Sequence, residues 1–514
     1  MTERKVIIVG AGVGGLAAAC DLARQGVAVT LLERQASVGG KIHQREAGSA
    51  WIDSGPTVLT MRWVFEDLLA ACGESLEDGQ LHLHALPVIA RHAWAESERL
   101  DLFADRHASI DAVAQFAGPA EAGRFAAFCD EARRLYLALE HAYIRAERPT
   151  LLSMSRDLGL RGLALLGGLG PFASLWQSLG RHFHDPRLRQ LFARYATYCG
   201  GSPWQAPATL ALIAHVEMCG VWGAEGGMQS LAARLERCAL RQGVAVRCNA
   251  EVSQIAIESG RARGVVLSDG ERLGADALVF NGDAQALAGG LLGEAATHAV
   301  AREGLAPRSL SALTWAIHGQ ASGFDLSYHN VFFHPDYASE FEDVFGQSRL
   351  PRQPTLYLCA QDRLPGATAP GGAGERLFCL INAPARGDSA PLTPEEIALC
   401  EHTAFNHLQR CGLTITALPQ HRVCSAPQDF HQRFPGSGGA LYGMAPHGWM
   451  SSFRRPSAST PIPGLFLAGG STHPGAGVPM ATLSGRLAAA TLMAHLDSTR
   501  RSGRVRISGG MSTG

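Results

Sequence analysis

The chain has 514 residues, enough for two or three domains around a large core. Apolar residues make up 46%, charged residues only 18%, and the net charge is −1. No cationic excess is present to hold a phosphate backbone, which argues against nucleic acid as a partner. The 12 cysteines show no C-x-x-C and no paired spacing, and read as small buried hydrophobes in a reducing compartment. Two H-x-H pairs, His82/His84 and His182/His184, have no carboxylate or cysteine spaced to complete a site, so no metal is expected.

A few polar residues lead straight into the first strand without a signal-peptide pattern, so a cytoplasmic start is expected. Val6–Val9 is an unbroken apolar run, as in a central parallel strand buried on both faces. It runs into G-x-G-x-x-G at Gly10, Gly12 and Gly15. The three glycines permit a tight turn, close backbone approach to a pyrophosphate, and close packing of helix on strand. A helix from about Gly14 to Arg24 would bury Leu16, Cys20 and Ala23 and present its positive N-terminus to phosphate. A second strand, Val27–Leu32, ends in Glu33, 23 residues after Gly10, where the ribose diol of a dinucleotide would lie. Arg34 could instead read a 2′-phosphate. The chain continues, however, with Gly39-Gly40-Lys41 and then "WIDSGPTV" (51–58), which contains Gly55 and Pro56. A glycine pair and a cation at that distance read as a second backbone contact to a longer, more buried cofactor, which favours FAD over NAD(P).

Farther on, His82–Phe103 is strand-rich and Ala112–Tyr198 mostly helical. Within the latter, Gly162–Gly180 has nineteen residues without a charge, but five glycines and Pro171. It reads as a buried helix pair, a monotopic patch dipping into one leaflet, or a span. Gly243–Ile257 holds two strands, and Ala262–Phe280 a hairpin turning at Asp269-Gly270. Ser309–Gln361 and Glu375–Ala385 add strands. Pro391–Gly412 is a helix with Thr393 as N-cap, Pro394 at the first position and Glu396 at the third.

A second cradle closes the chain. Leu465–Ala468 is the strand; Gly469, Gly470, Gly475 and Gly477 open the backbone; a helix begins near Pro479. One long cofactor explains both cradles, its adenine end on the first helix N-terminus and its flavin N1/O2 edge on the second. The expected architecture is a two-domain α/β flavoprotein. Residues 1–71, 221–284 and 455–497 form a discontinuous FAD-binding domain. Residues 72–220 and 285–454 form a substrate and membrane-contact domain, and 498–514 a disordered basic tail.

The N-terminal block, "DSGP", "GVWGAEGGMQSLAARL" (220–235), "ADALVFNGDA" (275–284) and "GSTHPGAGVPM" (470–480) together resemble bacterial carotenoid desaturases of the phytoene-desaturase type, from end to end. "PTLYLCAQDR" (354–363), "LFCLINAPA" (377–385) and "GSGGALYG" (436–443) look most like the hydroxyneurosporene (methoxyneurosporene) desaturase branch. The resemblance implies a Rossmann-like flavoprotein of the GR2/amine-oxidase type, with an inserted mixed-sheet and helical substrate domain. It implies FAD held by both cradles, with Val478, Pro479 and Met480 at the flavin end and the backbone around Val252 at the adenine. It further implies introduction of the 3,4 double bond into an acyclic 1-hydroxy-carotenoid, by hydride transfer to flavin N5 and loss of a proton. Peripheral contact with the inner or photosynthetic membrane is implied, with oxygen or a quinone as terminal acceptor. Unlike many flavoprotein relatives, Gly469-Gly470-Ser471 carries no acid after the last strand, so backbone N–H groups must take its place.

The best candidate for a proton-accepting base is Asp157 with Arg156, followed by Glu225. Tyr442 and Trp449 are expected in the pocket wall or core, and His473 or Asn281 could meet a substrate hydroxyl. Alternatives are a phytoene or neurosporene desaturase, a carotenoid isomerase or oxidase, or a prenyl-binding protein without redox activity like the GDP-dissociation inhibitors. An amine oxidase would usually carry an aromatic cage and a flavin-linking cysteine near the rear cradle, and neither is evident.

Overall fold

Five parallel strands drawn from distant parts of the chain make one sheet. The computed structural model describes residues 4–78, 81–168, 172–301, 307–366 and 374–507. The strands are β1 (Lys5–Val9), β2 (Ala28–Leu32), β3 (Ala245–Arg247), β4 (Ala277–Phe280) and β5 (Leu465–Leu467), in spatial order β5-β4-β1-β2-β3. Val6 pairs with Ala277 on one side and Val29 on the other, and Phe280 pairs with Leu467. The last strand thus lies one strand away from the first. The apolar runs dictate this placement, because Val6, Ile7 and Ile8 are buried on both faces of the sheet. Helix α1 (Val13–Ala23) packs against the C-terminal helix α2 (Val478–Ile507), with Ala17 and Ala18 of one and Ala488 and Ala489 of the other in a single core.

The intervening chain builds an eight-stranded mixed sheet. Its order is Thr414–Thr416, Ser311–Ser322, Glu375–Ala383, Leu356–Ala360, His329–Phe332, Val88–Ala95, Glu98–Phe103, with Arg422–Ser425 also paired to Ser311–Ser322. The pairings are antiparallel except that of His329–Phe332 with Val88–Ala95. Over it sits a helical cap that includes Pro119–Leu139, Leu175–His182 and Pro186–Ala193. Phe125, Phe128, Phe183 and Phe192, all fully buried, stack on one another at its centre, with ring centroids 4.9–5.7 Å apart.

Helix starts follow local chemistry. Thr393 Oγ1 accepts from Glu396 N–H at 3.2 Å and Glu396 accepts from Thr393 N–H at 2.8 Å, the reciprocal cap read from the sequence. Ser174 and Gln177 make a second such box at the start of Leu175–His182. That cap starts a new helix inside the apolar stretch 162–180, of which residues 169–171 lie outside the described residues, and the preceding helix Leu151–Gly168 is itself kinked at Gly159 (φ 59°). The buried helix pair holds only in part: Leu175 and Leu179 are fully buried in the cap core and Leu165 and Leu166 pack on it half-buried, whereas Phe172 between them is 74% exposed. Among the described residues no helix is long and apolar enough to cross a membrane. The segment read as a disordered tail from Ser498 is instead the last part of α2, helical to Ile507; 508–514 lie outside the described residues. Arginine is a good helix former, and cations at a helix C-terminus favour its dipole.

Three buried imidazoles make this fold acid-sensitive. Burial pushes His92, His407 and His447 down from the usual 6.5 to about 4. The ring of His447 accepts from Ser202 N–H at 3.0 Å, which only an unprotonated nitrogen can do. In the unfolded chain these rings protonate near 6.5, so between that pH and about 4 the unfolded state holds more protons. Their contribution to stability is therefore full above 6.5 and is lost as the pH falls toward 4. Urea midpoints measured across this window should fall steadily with acidification; a flat series would show that these rings titrate normally.

Candidate active site

Three strands of the sheet deliver three turns to one place: β1 runs into Gly10, β4 into Asn281 and β5, through Ala468, into Gly469. Asn281 Nδ2 donates to Gly10 O at 3.0 Å, and Asn281 N–H donates to Val9 O at 2.8 Å. A Cβ on Gly14 would lie 2.6 Å from Asn281 Oδ1, 2.8 Å from Ala481 O and 3.2 Å from Gly469 Cα. The N-termini of α1 and α2 therefore open side by side, and the two ends of the chain share one cleft. At the rear, Ala481 N–H closes the first turn of α2 on Gly477 O at 2.8 Å, which sets Val478, Pro479 and Met480 at its mouth.

The remaining cradle residues line up along this cleft. Gly39 N–H donates to Ala11 O at 2.9 Å and Gly39 bridges Gly12, bringing Gly40 and Lys41 alongside the first turn. Glu33, 5% exposed, accepts from Ala11 N–H at 2.7 Å and Gln35 N–H at 3.0 Å. Ala250 N–H donates to Glu33 O at 2.8 Å, so Val252, which opens strand Val252–Glu258, lies close to the ribose acid. Ser54 N–H donates to His43 O at 2.9 Å and holds Gly55 and Pro56 against the Lys41 segment. The Lys41 ammonium donates to Leu441 O; burial lowers its pKa, and Asp283 opposes that shift. Gly470 O accepts from Arg455 Nη1 at 3.0 Å.

These residues fit FAD. Two adjacent helix N-termini could offer N–H groups to a pyrophosphate and to the flavin N1/O2 edge, and a buried acid stands where a ribose would lie. Several buried polar atoms in this region have no protein partner: His43 Nε2, Arg45 Nε, Arg433 Nε and Asp283 Oδ2. Orphans of this kind are what a polar cofactor would satisfy.

Other expected residues are not brought to the cleft. Arg34 pairs with Glu251 at 3.0 Å and donates to Gln432 O at 2.9 Å, so it straps the surface and is not free to read a phosphate. Asp157 and Arg156 sit on helix Leu151–Gly168, exposed and facing each other at 3.8 Å. Glu225 is exposed beside His84 at 3.7 Å. These acids lack the burial that tunes a general base. Asn281 is the pin between the cradles. His473 Nε2 is committed to Ala146 O at 2.8 Å, with its ring on Tyr143. Tyr442 packs beside Gly200, and burial pushes its phenol up to about 12, while Trp449 is on the surface. Asp157→Asn should leave turnover within about threefold of the parent, whereas loss of a positioned general base costs on the order of 100-fold or more. Steady-state rates of the two proteins decide between these.

Sequence reading missed Arg455 and Asp283, two charges at the cradle. Asp283 had a local signal, since it caps helix Ala284–Ala288 through Gln285 N–H at 2.9 Å. Arg455 had none. It also missed a thiol cluster: Cys20 of α1, Cys72 at the end of helix Trp63–Ala71 and Cys238 of helix Met228–Arg241 bring their sulfurs within 4.8 Å of one another.

A family model described as flavin containing amine oxidoreductase matches residues 13–493. The chain is 55% identical over 517 aligned residues to the hydroxyneurosporene desaturase of Rubrivivax gelatinosus, covering 100% of this chain and 98% of that protein. It is 46% identical to the hydroxyneurosporene desaturase of Cereibacter sphaeroides, covering 97% and 99%. Among solved structures, an oxidoreductase from Methanosarcina mazei has the same fold, with a TM-score of 0.59 at 16% identity, covering 94% and 99%.

Proposed function

Because this chain belongs to the flavin-containing amine oxidoreductases and, among them, to the hydroxyneurosporene desaturases, we propose that its substrate is an acyclic 1-hydroxy-carotenoid and its product the 3,4-desaturated derivative. The enzyme is an FAD-dependent carotenoid desaturase. Near-full-length identity with hydroxyneurosporene desaturases of two organisms is the observation that carries the substrate reading.

Bound FAD supplies a two-electron acceptor for hydride from a CH₂ beside the polyene. The chain's own part is binding, orientation and exclusion of water. Glu33 would hold the ribose, the N–H groups beginning α1 the pyrophosphate, and those at Val478–Met480 the flavin end. The buried mixed sheet and the aromatic cap offer the apolar walls that a C40 chain needs. No buried acid aimed at the cleft is required, since a cation delocalised into a polyene is itself strongly acidic.

Leu152 is 81% exposed, and Phe172 stands edge-on to exposed Trp449 at 5.6 Å. These exposed apolar side chains suit peripheral docking into one leaflet, on the cytoplasmic face of the inner or photosynthetic membrane, from which an insoluble substrate would enter. The test is purified, flavin-loaded protein with liposomes carrying 1-hydroxyneurosporene, neurosporene or phytoene. A red-shifted product from the hydroxylated substrate is expected, and conversion of phytoene instead would favour a phytoene desaturase. Running the assay with and without oxygen, and with added quinone, identifies the terminal acceptor.

A further inference from the structure

Neither of the two polar groups expected at the substrate hydroxyl, Asn281 and His473, is free to meet it, and a different group of residues is. Between the mixed sheet and the helical cap lies a small cavity lined by Arg194, Thr197, Tyr337, Thr355, Tyr357 and Asn382. It encloses about 30 Å³, more than the ~10–15 Å³ that a water-sized group needs. Two hydroxyls on it, Tyr337 Oη and Thr355 Oγ1, make no hydrogen bond, although their side chains are only 5% and 7% exposed. Thr355 Oγ1 faces the Glu340 carboxyl closely enough to favour its charged form, but at a geometry short of a full hydrogen bond. Each Glu340 oxygen already accepts one hydrogen bond, from Asn382 Nδ2 at 2.6 Å and from Thr355 N–H at 3.0 Å.

The surroundings select for a neutral guest. Arg194 Nη1 donates to Tyr198 Oη at 3.0 Å, and Tyr198 Oη donates to Glu217 at 2.8 Å, so the buried cation is answered by a buried carboxyl through a tyrosine relay. Tyr195 Oη occupies the other Glu217 oxygen at 2.7 Å. Besides the Arg194 guanidinium, the cavity offers two hydroxyls, each able to donate or accept, which is the complement of an alcohol.

The cavity also lies beside the cofactor cradle. Tyr357 Oη is 2.6 Å from Thr57 Oγ1 and 2.7 Å from His329 Nδ1. Thr57 directly follows Gly55 and Pro56, the loop that packs on the Lys41 segment. One side chain therefore separates this loop from the cavity. That matches the substrate: in a 1-hydroxy-carotenoid the carbinol carbon is two bonds from C3, so its hydroxyl must sit near the reacting bond and not at the far end of a tunnel.

We propose that this cavity is the subsite for the substrate's tertiary hydroxyl, with Tyr337 Oη and Thr355 Oγ1 as its hydrogen-bonding partners. The proposal rests on the hydroxy-carotenoid reading above. A site built to hydrogen-bond a hydroxyl discriminates strongly against the analogue without it, because its own buried polar groups are then left unpaired. Tyr337→Phe and Thr355→Val remove those groups with little change of shape.

The experiment compares kcat/KM for liposomal 1-hydroxyneurosporene and neurosporene in the flavin-loaded parent, in both variants and in Thr355→Ser, which keeps the hydroxyl. Expected is a parent preference for the hydroxylated substrate that falls about 10- to 100-fold in Tyr337→Phe and Thr355→Val. Activity on neurosporene should be equal or higher in those variants, flavin content unchanged, and the preference retained in Thr355→Ser. Variants that keep the parent's preference would overturn the proposal and leave the cavity as a water site. A parent without any preference would overturn the substrate reading itself, independently of these residues.

Discussion

Gly15→Val should purify without flavin and without desaturase activity. A Cβ at this position would lie 2.1 Å from Gly10 O and 3.2 Å from Gly10 C, both backbone atoms of the turn that aims α1 at the cofactor. Backbone cannot swing aside as a side chain can. The turn must open instead, and the N–H groups of α1 then leave their positions beside Asn281 and Gly469. A loss of FAD affinity on the order of 100-fold or more is expected, about 2.7 kcal/mol. Gly12→Ala is the graded comparison: its Cβ would meet Asn281 Nδ2 at 3.2 Å and Gly40 Cα at 3.9 Å, neither as close as the 2.1 Å clash at Gly15, so weaker loss is expected. Gly123→Ala, in helix Pro119–Leu139 with nothing within 4 Å, should be unaffected. The flavin-to-protein ratio from visible absorption, read beside far-ultraviolet circular dichroism, measures binding separately from folding. Stoichiometric flavin in Gly15→Val would refute the role given to this turn.

Asp53→Ala should be among the most destabilising single changes in the molecule. Asp53, 2% exposed, caps helix Met228–Arg241 by accepting from Met228 N–H at 2.5 Å, and also accepts from Gln44 Nε2 at 3.1 Å. Its backbone exchanges two hydrogen bonds with the amide of Gln361, just past strand Leu356–Ala360. One residue thus ties the hairpin Gln44–Asp53, a helix of the dinucleotide half and the mixed sheet together. Truncation spares the backbone bonds to Gln361 but takes the acceptor from Met228 N–H and Gln44 Nε2, and a cost of about 3 kcal/mol is expected. The cofactor loop Ser54–Thr57 follows directly, so flavin binding should weaken in parallel. Asp53→Asn keeps the shape but replaces one acceptor by a donor facing a helix N-terminus, and should recover only part of the loss. Urea unfolding of the three proteins gives the comparison.

The legibility of this chain followed the range of the forces involved. A strand, glycine turn and helix in direct succession depend on backbone conformation and on neighbours a few residues away, so both cradles were visible in the sequence. So were the hairpin at Asp269-Gly270 and the Thr393–Glu396 cap. Glu33 could be placed because one βαβ unit has nearly constant length. Arg455, Asp53 and the Cys20–Cys72–Cys238 cluster could not, because each acts on residues far away in sequence and carries no local pattern. Asp157 shows the converse: a plausible acid in sequence becomes a surface residue once the helix that carries it is packed.

From the sequence alone came the cofactor class and two glycine turns that fit it, since phosphate and flavin are groups that glycine-exposed backbone can hold. Only the tertiary structure decided that those turns open into one cleft, which side chains are consumed as structural pins, and where uncommitted hydroxyls remain. Each of those outcomes is a balance of desolvation against hydrogen bonding at a particular buried point, and that balance exists only once distant segments have met.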